Sequence, residues 1–138
     1  MSQRTIHITE FDRQRLAELL DELHRTGYTN REALQDLEGE LARAEVLAPQ
    51  DIPPDVITMN SQARLYDLEA EEELIFTLVF PEDANLAENK VSVLAPVGMA
   101  MLGYRAGDVF EWQVPGGISR LKVLEILYQP EAAGDYHL

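Results

Sequence analysis

The sequence predicts an α+β fold: a short N-terminal antiparallel helical hairpin of coiled-coil type, followed by a mostly antiparallel β-sheet domain with one short helix. Three observations predict it. Leucines at helical spacing fill the first third and give way to a proline-rich stretch. Beyond residue 55 the apolar residues come in short runs rich in β-branched and aromatic side chains, bounded by turn residues. One exception, Pro96-Val-Gly-Met-Ala-Met-Leu102, has small residues behind a leading proline, the pattern of a brief helix.

Residues 1–8 form a leader with one β-like patch, Ile6-His-Ile8. Thr9-Glu-Phe-Asp12 has the Thr-x-x-acid form of a helix cap, in which the hydroxyl accepts a backbone N–H three residues on. Leu16, Leu19, Leu20 and Leu23 follow as one apolar stripe. Gly27 ends this helix near Arg25 or Thr26. Thr29-Asn-Arg-Glu32 reads as a capping box that opens a second helix. Leu34, Leu37, Leu41, Ala44 and Ala48 give it a heptad-like seam, and Pro49 stops it. Gly39 weakens it by about 1 kcal/mol relative to alanine. So short a connection makes the helices antiparallel neighbours. Arms of about 16–19 residues are roughly 25 Å long.

Residues 49–54, Pro-Gln-Asp-Ile-Pro-Pro, form a stiff link. It divides a hairpin (residues 1–48) from a sheet domain (residues 55–138). Within the latter, residues 56–60 and 63–68 read as strands. The acidic stretch 67–73 holds a hairpin turn that lacks the usual glycine. Residues 74–80 form a strong strand, 81–89 a polar acidic loop, and 91–95 a short buried strand. The helix over 96–102 is closed by Gly103. Ala106-Gly-Asp108 turns into a strand over 109–114, and Pro115-Gly-Gly117 returns the chain into a strand over 119–128. Five or six strands result. Trp112 is expected in the core, and the Asp108 carboxylate is expected to bond backbone N–H groups of its own turn.

The formal net charge is −14. Residues 1–48 carry 6 basic and 10 acidic side chains, a net of −4; residues 49–138 carry 5 and 15, a net of −10. Phosphate binding needs clustered Lys and Arg, which are missing, so no direct nucleic-acid binding is expected. A basic protein surface is the better partner for such charge. There is no cysteine, so no disulfide and no thiolate metal site. That agrees with a cytoplasmic protein. No run resembles a signal peptide or approaches the roughly 20 apolar residues of a membrane span. His7, His24 and His137 are scattered without metal-ligand spacing. No phosphate loop or nucleophile elbow is present, so no enzyme and no cofactor are expected.

Ala95-Pro96-Val97-Gly98, the small residues Ala100 to Leu102, Gly103, Gly107-Asp108 and Pro115-Gly116-Gly117 follow one another in an order that resembles the C-terminal domain of the Gre-type transcript-cleavage factors. In that family a Ser-Pro-Leu-Gly string, a small-residue helix, a Gly-Asp turn and a Pro-x-Gly turn recur, on a fold similar to the FK506-binding (FKBP) prolyl isomerases. An antiparallel helical hairpin precedes it, so the resemblance covers nearly the whole chain. Thr58-Met-Asn-Ser61 and Gln129-Pro-Glu-Ala-Ala-Gly-Asp135 extend it to a branch whose members are called regulators of nucleoside diphosphate kinase.

The resemblance implies docking on bacterial RNA polymerase, with the globular domain at the rim of the secondary channel and the hairpin pointing inward. Carried over to this chain, the docking candidates are Ala95, Pro96 and Gly98, with Ala95 standing where the family has serine. Gre factors carry an Asp-x-x-Glu pair at the hairpin tip that supplies a metal ion to the polymerase. Paired carboxylates suit Mg²⁺, a hard cation. Here the tip is Thr26, Gly27, Tyr28, Thr29 and Asn30, without a carboxylate, and the nearest acids, Asp21, Glu22, Glu32 and Asp36, sit on the flanks. Tyr28 is open to two readings, a partner contact or stacking on its own hairpin.

The expected function is therefore that of a non-enzymatic, monomeric transcription regulator that competes with Gre-type factors without stimulating cleavage. Its effect on nucleoside diphosphate kinase level is then indirect. Two alternatives remain: a direct protein partner of that kinase, and a prolyl isomerase. The second needs an aromatic-lined pocket, which Tyr66, Phe76, Phe80, Tyr104, Phe110 and Trp112 would have to build.

Overall fold

The computed structural model describes residues 5–28 and 31–136. Strand β1 (His7–Thr9) leads directly into helix α1 (Glu10–Thr26). Thr9 is extended, and its hydroxyl accepts the Asp12 N–H at 3.1 Å. This satisfies one of the donors that a helix start leaves unpaired. Gly27 closes α1 in the left-handed conformation, φ 76°, with its N–H on the Leu23 carbonyl. The capping box at Thr29 falls outside the described residues.

Helix α2 (Arg31–Ala42) is shorter than its seam implies. Leu34 and Leu37 are buried, but the helix stops before Ala44. Arg43 and Ala44 make the last turn's bonds, and then the Glu45 N–H goes to the Ile6 carbonyl at 2.8 Å. Glu45–Leu47 becomes strand β2, parallel to β1, with His7 opposite Glu45. Ala42, Arg43, Ala44 and Glu45 form no local stop signal, so a distant backbone partner has overridden helix propensity. Pro49 starts a 3-10 turn, Pro49–Asp51, instead of ending a helix. Because β2 leaves α2 beside the strand that leads into α1, the helices are antiparallel neighbours. His24 Nε2 and Glu38 Oε2 tie the arms at 2.9 Å.

The sheet domain begins with a correction. The segment expected as a strand over 56–60 is a loop. Val56 makes only an isolated bridge to Arg105, and residues 58–61 turn, with Asn60 at φ 66°. Val56, Ile57 and Met59 are buried, so the apolar pattern is real. Their burial is by a loop whose Ile57 exchanges backbone bonds with Gly103 and Tyr104. Strands β3 (Gln62–Asp67) and β4 (Glu72–Val79) form a hairpin. Glu71 takes the left-handed position, φ 57°, that a glycine would ordinarily hold. The Asp67 carboxylate steadies that turn by accepting the Glu69 and Ala70 N–H groups, each at 3.0 Å. Two 3-10 turns, Pro81–Asp83 and Leu86–Glu88, carry the acidic loop to strand β5 (Lys90–Ser92). Helix α3 (Pro96–Met101), β6 (Val109–Val114), β7 (Gly117–Tyr128) and helix α4 (Pro130–Ala133) complete the domain. The five strands lie in the order β5-β4-β3-β7-β6, antiparallel except for β4 with β5.

One apolar cluster runs through hairpin and sheet. It joins Ile6, Ile8, Leu16, Leu20, Leu34 and Leu37 to Ile57, Met59, Leu65, Leu78, Phe110 and Val123. Full burial of such a side chain stabilises by about 1.5–3 kcal/mol. The base of the hairpin is thus part of the domain core. Among the described residues no helix is long and apolar enough to cross a membrane.

Candidate functional site

The candidate residues lie in the loop leading into α3 and at the hairpin tip, and a buried joint lies beneath the hairpin. In the first, the chain turns sharply after β5. The Ser92 hydroxyl accepts the Leu94 N–H and its carbonyl accepts the Ala95 N–H, both at 3.0 Å. Pro96 then starts α3. Gly98 rests on the end of β5: a Cβ there would lie 2.0 Å from the Ser92 oxygen and 2.8 Å from its carbonyl carbon. Only glycine lets α3 approach so closely. The loop therefore divides its three candidates by role. Pro96 is exposed and Ala95 is half-buried, while Gly98 is buried and sets the backbone path.

At the tip, the Thr26 hydroxyl and the Tyr28 N–H both bond the Leu23 carbonyl, at 3.3 and 3.0 Å. Tyr28 is half-buried and packs against the leucine cluster, which favours its stacking on the hairpin. Thr29 and Asn30 lie outside the described residues. Asp21, Glu22, Glu32 and Asp36 are exposed. Among the described residues no group of three or more His, Asp or Glu side chains is arranged to hold a metal ion.

The joint is the feature that sequence reasoning missed. The Arg15 guanidinium lies over two rings, 4.0 Å from the centre of Phe80 and 5.1 Å from that of Phe11. Its Nη1 is 3.6 Å from Asp12 Oδ1, and Asp12 is 2% exposed. Across the joint, the Thr58 hydroxyl donates to Glu131 Oε1 at 2.8 Å, and its N–H donates to the Ser61 hydroxyl at 2.9 Å. Gln129 Nε2 donates to the Pro53 and Val56 carbonyls, both at 2.8 Å. The two remote motifs, Thr58–Ser61 and Gln129–Asp135, therefore meet as one buried polar knot under α1. Burial pushes the Asp12 carboxyl up to about 7; the neighbouring Glu131 charge adds to this, and Arg15 opposes it. Scattered single polar residues carry no periodicity, so the only signal was that the two motifs occur together. Elsewhere, Asp108 bonds the Arg105 N–H at 2.9 Å, as its turn demands. Trp112 packs, half-buried, against the core. Phe80 and Phe110 are buried, and Tyr104 stacks on Phe110 with centroids 5.0 Å apart, so these aromatics fill core space.

Residues 52–128 match the model of the transcription elongation factor GreA/GreB C-terminal domain, and residues 4–47 match that of the Rnk N-terminus. The chain belongs to the Gre factor family. Within it, the regulator of nucleoside diphosphate kinase of Escherichia coli strain K12 is 43% identical over 139 residues, covering 100% of both chains. Transcription elongation factor GreA of Trichlorobacter lovleyi is 33% identical over 96 residues, which are 70% of this chain and 61% of that one. Among solved structures, the prokaryotic transcription elongation factor GreA/GreB from Nitrosomonas europaea superposes with a TM-score of 0.77 at 44% identity, covering 90% of this chain and 100% of that one. These Gre-family relatives are named as regulators or elongation factors, and this chain is a Gre-like, transcription-associated regulator by kinship.

Proposed function

We propose that this Gre-family protein is a non-enzymatic regulator that docks on RNA polymerase near its secondary channel. There it competes with Gre-type factors without stimulating transcript cleavage. The observation that carries the reading is the tip, Thr26-Gly-Tyr-Thr-Asn30, which places no carboxylate where the Gre factors resemble one another in carrying an acid pair. Mg²⁺ held for catalysis needs carboxylate oxygens presented together. A hairpin that enters the channel without them occupies space and delivers no metal. The net charge of −10 over residues 49–138 suits a basic docking surface and speeds encounter with it. Pro96, with Ala95 beside it, is the exposed part of the proposed contact loop.

The test is binding of the labelled full chain to purified core polymerase, with a Gre factor as competitor and backtracked complexes as the activity readout. Displacement without cleavage is expected, and Ala95→Asp weakens binding. Cleavage above background would sink the reading. The effect on nucleoside diphosphate kinase is then indirect, through transcription. Stable association of the two purified proteins would replace that account with direct partnership.

A further inference from the structure

The acidic loop ahead of β5 carries the most exposed of the large apolar side chains among the described residues, Leu86 at 85%. The loop is firmly built. Asn85 and Lys90 form an antiparallel bridge with N–H···O bonds of 2.9 Å in both directions. Between them the Asn85 side chain accepts the Ala87 N–H at 3.0 Å, and Glu88 and Asn89 N–H groups reach Asn85 and Leu86 carbonyls, each at 3.1 Å. Asn89 closes the turn at φ 57°, and its carbonyl accepts the Thr77 N–H of β4 at 3.0 Å. The other foot is a 3-10 turn whose Asp83 N–H bonds the Phe80 carbonyl at 2.9 Å.

Single exposed leucines are ordinary on protein surfaces. This one differs in three respects. Its backbone is already ordered, so docking it costs little further entropy. It is flanked by acids: Glu82 and Asp83 make no ion pair with any described residue, and Glu88 pairs only with Lys90, at 3.0 Å. It also lies at one end of β5, the edge strand whose other end runs into the exposed Pro96. A three-residue strand spans about 10 Å. Leu86 lies just ahead of β5 and Pro96 just beyond it, so the two flank this short edge strand.

We propose that Leu86 is an apolar anchor of a docking surface along the β5 edge, continuous with Pro96. Its counterpart is a pocket on a protein surface, apolar at the centre and rimmed by Lys and Arg that meet Glu82 and Asp83. This rests on the polymerase reading and states what the polymerase side must offer. The experiment measures affinity and association rate of the labelled full chain for core polymerase at low and high salt. Leu86→Asp is expected to weaken binding about ten-fold or more, whereas Leu86→Met stays within about two-fold. Glu82→Gln with Asp83→Asn slows association at low salt, and the difference fades as salt screens it. Thermal melting of each variant confirms that folding is unchanged, and Leu86→Ser replaces Leu86→Asp if that variant melts early. Binding by Leu86→Asp and Leu86→Ser equal to the parent overturns the anchor alone. Failure of the parent chain to bind overturns the polymerase reading and the anchor together.

Discussion

The two ends of the helical hairpin are built from different materials. At the base, α1 is locked to the sheet domain by the buried Asp12, by Arg15 lying over Phe11 and Phe80, and by the shared apolar cluster. Towards the tip the arms hold each other through partly buried Leu19, Leu23 and Tyr28 and the exposed His24–Glu38 pair. The base therefore sets where the hairpin points, and its residues are constrained by packing. The acids flanking the tip, Asp21, Glu22, Glu32 and Asp36, are exposed, so substitutions there have little packing to lose.

The largest effect is expected at the base. Phe80 is buried under Arg15, and Phe80→Ala should cost about 3–5 kcal/mol in urea unfolding. A loss below 1 kcal/mol would mean that the joint is not a structural unit.

Asp12 should give the next largest effect, and a pH-dependent one. Its carboxyl titrates at about 7 in the folded protein against an ordinary 3.8. The native state therefore holds an extra proton between those values. Stability falls as pH rises from about 4 to 7, by up to about 4 kcal/mol at 1.36 kcal/mol per unit, and is flat above. Asp12→Asn should remove most of this slope and be more stable than the parent at pH 8. An unchanged slope would place the titration elsewhere.

At positions on the arms outside the packed joint, effects should be small. Gly39→Ala adds a Cβ that meets only the Arg43 guanidinium, at 3.5 Å, and should stabilise by about 1 kcal/mol. His24→Ala removes an ion pair whose side chains are 51% and 44% exposed and should shift stability by no more than about 0.5 kcal/mol. A larger loss on His24→Ala would show that the arms depend on that pair, and the contrast between base and tip would narrow.

Much of this molecule was legible one residue at a time. Thr9 caps α1 and Gly27 ends it because hydroxyl placement and left-handed backbone are local matters. Pro96 starts α3, the Pro115-Gly-Gly117 turn joins β6 to β7, and Asp108 caps its own turn for the same reason. The acidic hairpin turn was located, but its left-handed residue proved to be Glu71, a choice that strand register makes. The candidate loop at Ala95, Pro96 and Gly98 was found as a motif. That Gly98 is a packing residue needed the position of Ser92.

The sequence by itself determined the two architectures, their order, the acidity and the absence of carboxylates at the tip, because periodicity, turn chemistry and charge are properties of neighbouring residues. Tertiary structure alone decided that α2 ends at Ala42, that residues 58–61 turn, and that Asp12 is buried beside the charge of Glu131. Each of these depends on a partner far away along the chain: Ile6 for Glu45, Glu131 for Thr58, Phe80 for Arg15. Hydrogen bonds and burial between such distant residues leave no periodic trace in the sequence, and they outweigh the few tenths of a kcal/mol by which local propensity favours one conformation over another.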